Sequence, residues 1–154
     1  GIDIKIKKNN YHKIKEHQMS KRITLIEGSS VEKKVFNKVY KIAEGYKKIM
    51  VLLDSNHTHS HVYEELKVYA KLVSKKSYCV VFDTIIDDLP ETYGKNRPWG
   101  KNNNPKSAVK KYLKLIKKNN QFDLNNKKLS FENDKTIQNQ LLITVAPDGF
   151  LKRL

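Results

Sequence analysis

The sequence is poor in cysteine, in long apolar runs and in acidic side chains. The single cysteine, Cys79, has no partner for a disulfide and lies in the apolar run 78–82, which predicts a thiol packed in the core. No apolar stretch approaches the ~20 residues that are needed to cross a bilayer, so we expect no membrane span. Residue 1 begins within a strand pattern rather than in a signal peptide, which predicts a cytoplasmic protein.

The shortage of acidic residues leaves 16 Asp and Glu against 31 Lys and Arg, a net charge of +15. Such a charge favours anionic partners, among them nucleic acid, acidic polysaccharide and phosphorylated lipid head groups. However, the lysines are spread along the whole chain beside many asparagines, and aromatic and basic residues do not interleave as they do on single-strand-binding surfaces. We therefore expect no nucleic-acid partner, and binding to nucleic acid remains an alternative function that only the charge supports.

The apolar residues are gathered in short runs separated by stretches with helical spacing. Strands are predicted at 1–6, 23–26, 49–53 and 78–82. One helix is predicted to start at the capping box Ser29–Glu32 and another at Asn104-Pro105. The run 141–145, a turn and Phe150-Leu151 predict an antiparallel hairpin at the end of the sheet.

This alternation predicts a single α/β domain over residues 1–154, with a mostly parallel sheet, helices on both faces and a C-terminal antiparallel hairpin. The run 49–53 is apolar throughout, which is typical of a central strand covered on two sides. Residues 85–104 form a long loop of the kind that often shapes a substrate pocket, in which Trp99 could equally be a packed anchor. The Lys/Asn-rich stretch 117–128 is predicted to be an exposed connection.

Acidic or small polar residues stand where the predicted strands end. A single one is explained equally well as a loop-starting or helix-capping residue, but a series of them favours a shared cleft. Asp3 could accept the two hydroxyls of a ribose, and Gly28 beside Ser29 and Ser30 would let the backbone approach a flat ring. These residues predict a nucleoside-binding site.

Two further strand ends carry Asp54 and Asp83. Asp54 could coordinate a hard cation or act as a base, and with Asp83 it forms a possible divalent-metal site. His57, His59 and His61 alternate just after Asp54. One interpretation is a three-histidine zinc site, and the other is a single histidine near Asp54 that acts as an acid, a base or a substrate ligand.

Over nearly its whole length, the chain resembles the cephalosporin hydroxylase and rhamnosyl O-methyltransferase family. The segments that carry the resemblance are 1–4, 23–30, 53–59, 80–84 and 148–153. The resemblance implies a Rossmann-like class I methyltransferase fold that uses S-adenosylmethionine. It also implies a hydroxyl of a sugar, a glycan or a small natural product as the methyl acceptor, and association into homo-oligomers.

The resemblance implies roles for individual residues as well. Asp3 would bind the ribose of the cofactor, Gly28, Ser29 and Ser30 would border its adenine, and Asp54 would be a metal ligand. By analogy with catechol O-methyltransferase, where a lysine base follows the first metal aspartate by three residues, His57 would stand at the position of the base. A Mg²⁺ ion held by Asp54 and Asp83 would orient the acceptor oxygen and lower its pKa.

The chain departs from the family pattern in two places. Phe82 stands where the family usually has a glutamate before Asp83, so one expected metal carboxylate is missing. The glycine-rich turn after the first strand is also absent, because the six glycines of the chain include no closely spaced pair. We therefore expect a partial domain, truncated at its N-terminus, that lacks the first strand and the glycine loop, and a non-catalytic remnant or partner-binding module is an alternative function.

Overall fold

The computed structural model describes residues 1–154 and consists of six strands and five α-helices. The strands are β1 (Ile2–Asp3), β2 (Ile26–Glu27), β3 (Val51–Leu53), β4 (Tyr78–Val81), β5 (Phe131–Asn133) and β6 (Phe150–Arg153). The α-helices are α1 (Lys8–Glu16), α2 (Lys33–Ala43), α3 (His59–Tyr69), α4 (Pro105–Lys118) and α5 (Lys135–Gln140). Short 3₁₀ turns lie at Ser20–Arg22, Ala70–Leu72 and Thr84–Asp88.

The strands form two sheets rather than one. β1 and β2 pair in parallel as a two-stranded sheet, and the other four strands form a sheet in the order β3-β4-β6-β5. Within the larger sheet β3 and β4 are parallel, whereas β6 is antiparallel to both β4 and β5. The predicted α/β class is confirmed, but the sheet is mixed and not mostly parallel.

The predicted C-terminal hairpin is wrong in its first strand. Residues 141–145 form no strand, and Leu142 and Ile143 are 99% and 85% exposed. The antiparallel partners of β6 are β4 on one side and β5 on the other. With both of its edges paired, β6 has no backbone groups left for the apolar run 141–145.

The core lies between the larger sheet and helices α3 and α4. These two helices pack against each other and cover the sheet face that carries Leu53, Cys79 and Leu151. Cys79 is fully buried, as predicted, and burial raises the pKa of its thiol to about 12, with a further contribution from the nearby charge of Glu65. The thiol therefore stays protonated and acts as a small apolar side chain.

Strand β3 is covered on one face only. Met50 and Leu52 are 58% and 56% exposed, so the prediction of a strand covered on two sides is wrong. Both side chains line a groove of about 530 Å³ that also contacts Ile2 of β1. The groove lies between β3 and the smaller sheet and leaves this face of the apolar run uncovered.

One of the two predicted helix starts differs from the structure. Helix α4 starts as expected, since Asn104 and Ser107 form a capping box, whereas α2 begins only at Lys33, after the predicted box at 29–32. The Lys/Asn-rich stretch 117–128 is largely exposed, as predicted, although α4 runs to residue 118 and Asp123 forms a buried ion pair with Arg153 at 2.6 Å. No helix of the protein combines the length and the apolar character that a membrane crossing requires.

Candidate active site at the strand ends

The parallel pairing of β3 and β4 brings two carboxylates together. Leu53 is in register with Val81, so Asp54, the residue after β3, and Asp83, two residues after β4, leave the sheet at the same edge. Asp83 turns back through a left-handed conformation with φ of 54° and starts the 3₁₀ turn. An Asp tolerates this conformation better than most residues, so the sharp turn that aims its side chain at the strand ends is locally encoded.

His57 completes this cluster. The side-chain oxygen of Asn56 accepts hydrogen bonds from the backbone and hydroxyl of Thr58, and this short turn folds the loop back over the strand ends. His57 Nδ1 then lies 3.3 Å from Asp83 Oδ2. The ligand atoms of Asp54, His57 and Asp83 all lie within 4.8 Å of one another, and we call these three residues the strand-end cluster.

The three alternating histidines do not form one site. His59 Nδ1 lies 2.7 Å from the Ser107 hydroxyl, and burial, together with the charge of Lys111, lowers the pKa of His59. His61 Nε2 lies 3.0 Å from the Ser30 hydroxyl, in the turn before α2. The hypothesis of a three-histidine zinc site is therefore wrong, because His59 begins a helix and the extended spacing ends there.

The residues predicted to bind a nucleoside lie at the end of the smaller sheet. The register of β1 and β2 pairs Asp3 with Glu27, and the backbone N–H of Gly28 donates to the Asp3 carbonyl at 2.8 Å. Gly28 has φ of 140°, and a Cβ there would lie 2.7 Å from Val35 Cγ2, so only glycine fits this close approach. The structure thus brings Asp3 and Gly28 together, and the Asp3 carboxylate also accepts a hydrogen bond from the Lys5 backbone at 3.0 Å.

The groove between the two sheets connects this region with the strand-end cluster. Ser30 lines it from one side and Asp54 and Ser55 from the other, whereas Asp3 and Ser29 do not. Glu65 also lines the groove, although it is only 2% exposed. One of its oxygens accepts a hydrogen bond from Ser55 at 2.7 Å, and the other, Oε2, has no partner.

Glu65 was not identified from the sequence as a site residue, although its position in the sequence indicates a polar site. It stands within the apolar stripe of α3 between Val62 and Tyr69, and an acidic residue inside a buried stripe is uncommon unless it has a polar partner. That pattern, rather than any motif, marks Glu65 as part of a polar site.

Comparison with known proteins places the chain in a family. The whole chain, residues 1–154, matches the family described as "Rhamnosyl O-methyltransferase/CmcI". The chain belongs to this family. The rhamnosyl O-methyltransferases of Mycobacterium tuberculosis and Mycobacterium bovis are 28% identical to it over 132 residues, which cover 85% of the chain and 47% of each relative. The chain thus spans about half the length of the curated relatives it matches, and no solved structure matches it.

The side-chain oxygens and nitrogen of the strand-end cluster are suitable ligands for a divalent cation. Two carboxylates and one imidazole within 4.8 Å can share one ion, and Mg²⁺ is usually held by one or two carboxylates together with water and substrate. Phe82, half-buried beside Asp83, adds no ligand. Asp54 and Asp83 are therefore the pair that would hold the ion.

The groove also has a feature that fits S-adenosylmethionine. The unpaired Oε2 of Glu65 is a buried acceptor that a cationic ligand would satisfy, and this cofactor carries a sulfonium and an ammonium group. The donor set of the groove and the neighbouring Gly28 turn is thus compatible with the cofactor that the sequence resemblance implies.

Proposed function

We propose that this chain forms part of an S-adenosylmethionine-dependent O-methyltransferase, assisted by a divalent metal ion, that acts on a hydroxyl of a sugar, a glycan or a small natural product. The observation that carries the proposal is the convergence of Asp54, His57 and Asp83 at the ends of two adjacent parallel strands. Family membership supports methyl transfer to oxygen as the reaction.

Each residue of the strand-end cluster has a distinct role in the proposed reaction. A Mg²⁺ ion held by Asp54 and Asp83 would act as a Lewis acid that lowers the pKa of the acceptor hydroxyl. The carboxylate of Asp83, 3.3 Å from His57 Nδ1, favours the tautomer that is protonated at Nδ1. This leaves His57 Nε2 free to accept the proton of the acceptor hydroxyl, and the cofactor, when bound, would supply the methyl group and leave as the neutral thioether.

On the donor side, Asp3 binds the ribose hydroxyls and Gly28 to Ser30 border the adenine. Asp3 and Gly28 are adjacent through a backbone hydrogen bond, and Ser30 lines the groove that leads to Asp54. A cofactor that extended from Asp3 towards Asp54 would place its methionine end in the groove, beside the unpaired oxygen of Glu65.

The groove also supports the proposal that the chain is a partial domain without the first strand and the glycine loop. β1 pairs only with β2 and β3 only with β4, so each presents a free edge. Both edges line the same groove, whose other walls are mainly apolar. An extended apolar segment from further polypeptide, of which the relatives have about as much again, would pair with both edges and join the two sheets.

The test compares residues 1–154 with a chain extended by its upstream genomic sequence. Calorimetry should detect weak or no binding of S-adenosylmethionine to residues 1–154 and clear binding to the extended chain. With Mg²⁺ and a sugar acceptor, the extended chain should transfer methyl groups, and Asp54→Asn should remove this activity. Glu64→Gln, which removes an exposed carboxylate on α3, is the matched control and should retain it.

The alternative is a non-catalytic remnant or partner-binding module of the same fold, favoured by Phe82 and by the missing glycine loop. One binding measurement distinguishes the two functions. An extended chain that bound neither S-adenosylmethionine nor a divalent ion would contradict the methyltransferase proposal and support the non-catalytic module.

A further inference from the structure

An aromatic wall stands beside the strand-end cluster. Trp99, the single tryptophan of the chain, packs edge-to-face against His57 with ring centres 5.8 Å apart. Tyr93 lies on the same loop with its ring centre 6.1 Å from that of Trp99, and it is 55% exposed. Since His57 is the proposed base, these two rings border the space in which the acceptor hydroxyl must lie.

The wall is fastened to the site by a bridging side chain. Asn103 Nδ2 donates to the Pro98 carbonyl at 2.8 Å, and the same side chain accepts a hydrogen bond from the His59 backbone at 3.0 Å. The residue before Trp99 is thereby tied to the first residue of α3. The position of the ring relative to His57 is therefore set by hydrogen bonds and not by packing alone.

The ring is also held from within its own loop. Gly94 lies against it so closely that a Cβ would be 2.7 Å from Trp99 Cζ3, and the φ of Gly94 is 78°. The Arg97 guanidinium lies 5.9 Å from the ring centre. Even so, Trp99 remains partly exposed, so part of its ring is open to a ligand.

We propose that Trp99 and Tyr93 form a platform that binds the apolar face of a pyranose ring and so positions its hydroxyl at the strand-end cluster. A sugar ring presents C–H groups on its faces and hydroxyls around its rim, so a fixed aromatic ring is matched to the face and the charged cluster to the rim. The Arg97 guanidinium, which lies over the Trp99 ring, supplies further donors to the hydroxyls. This inference rests on the proposed function for its choice of a sugar acceptor.

The experiment uses residues 1–154 with Mg²⁺ and methyl α-rhamnopyranoside as the probe. Because Trp99 is the sole tryptophan, its emission should change as the sugar is added. Saturation-transfer NMR then compares the affinity of the variants. Trp99→Ala should weaken sugar binding roughly three- to tenfold, the gain expected from one aromatic contact, and Trp99→Phe should restore most of it.

Three controls separate the outcomes. Tyr11→Ala, which removes a partly exposed ring from α1, should leave sugar binding unchanged. Gly94→Ala should weaken it, because the new methyl group displaces Trp99 without removing it. Binding of Mn²⁺ should be the same in Trp99→Ala as in the unsubstituted chain, which shows that the strand-end cluster is intact.

Equal sugar affinity in Trp99→Ala and the unsubstituted chain would overturn the platform, as would the absence of any sugar binding or a preference for a planar phenol over the sugar. If the extended chain transferred no methyl groups but its sugar binding still depended on Trp99, this result would contradict the proposed reaction and support the platform.

Discussion

Asp83 is the residue on which the geometry of the strand-end cluster depends most, because it contacts His57 and shares an edge of the sheet with Asp54. We expect Asp83→Asn to lower the affinity for Mn²⁺ by about tenfold or more, since a metal-binding carboxylate loses its charge. His57→Gln should change that affinity only about threefold, as its role is to take a proton.

Electron paramagnetic resonance of free Mn²⁺ measures both affinities in residues 1–154. His12→Gln, an exposed histidine on α1, is the control for loss of an imidazole. If His57→Gln weakened Mn²⁺ binding as much as Asp83→Asn does, His57 would be a metal ligand and the assignment of the base would be wrong.

Gly28 is a second residue at which a single methyl group should matter. Gly28→Ala is expected to lower the free energy of unfolding by roughly 1–3 kcal/mol, because φ of 140° is strained for alanine and the new Cβ meets the buried Val35. Urea denaturation measures this change. Gly45→Ala, where a Cβ would meet only an ordinary contact at 3.6 Å, should be nearly neutral, and an equal loss in both variants would contradict the explanation.

At the scale of elements, the loop that carries Trp99 is fastened to α4 through Asp87. Burial alone would raise the pKa of Asp87, but hydrogen bonds from the Asn104 and Lys110 side chains and the Asn102 backbone lower it to about 2. The pKa of an aspartate side chain in an unfolded chain is about 3.9. The stabilisation is therefore complete above about pH 4 and is lost as the pH falls towards 2.

Comparison of Asp87→Asn with the unsubstituted chain isolates this contribution from the other carboxylates. The variant should be less stable by roughly 1–2 kcal/mol near neutral pH, and the difference should shrink below about pH 4. Thermal unfolding followed by circular dichroism at several pH values measures it. Glu91→Gln, an exposed acid of the same loop, should show no such pH-dependent difference.

At the scale of the whole molecule, stability is unevenly distributed between the two sheets. None of the buried residues lies before Val35, and β1 and β2 have two residues each. β6, by contrast, is paired on both sides and contributes Leu151 to the core. Hydrogen-exchange mass spectrometry should find rapid exchange in residues 1–27 and slow exchange in β4 and β6.

The upstream segment provides the matched comparison for this prediction. In the extended chain, a strand between β1 and β3 should slow exchange in residues 1–27 and at 50–53, and leave β6 unchanged. Uniform protection of residues 1–154 without that segment would show that the smaller sheet is already anchored, and the groove would then need no additional strand.

Local patterns were sufficient for much of the chain. The helix start at Asn104-Pro105, the apolar runs of β3 and β4 and the acidic residues that follow them are encoded by neighbouring residues, and the predicted positions of these features agree with the structure to within two residues. The predicted strands at 1–6 and 23–26 are exceptions, since only Ile2–Asp3 and Ile26–Glu27 pair and Ile4 is 72% exposed. Helix starts and strand ends depend on short-range hydrogen bonds and periodicity, which a sequence shows directly.

Tertiary structure alone decided which edges pair and which side chains meet. The run 141–145 is as strand-like as any in the sequence, yet β5 holds the edge of β6 that it would need. Likewise, nothing in the spacing of Trp99 and His57 places their rings together, because a bridge through Asn103 to α3 does so. The order of elements and the chemistry at each strand end were thus determined by sequence, whereas the groove and the aromatic wall arise from contacts between residues far apart in the chain.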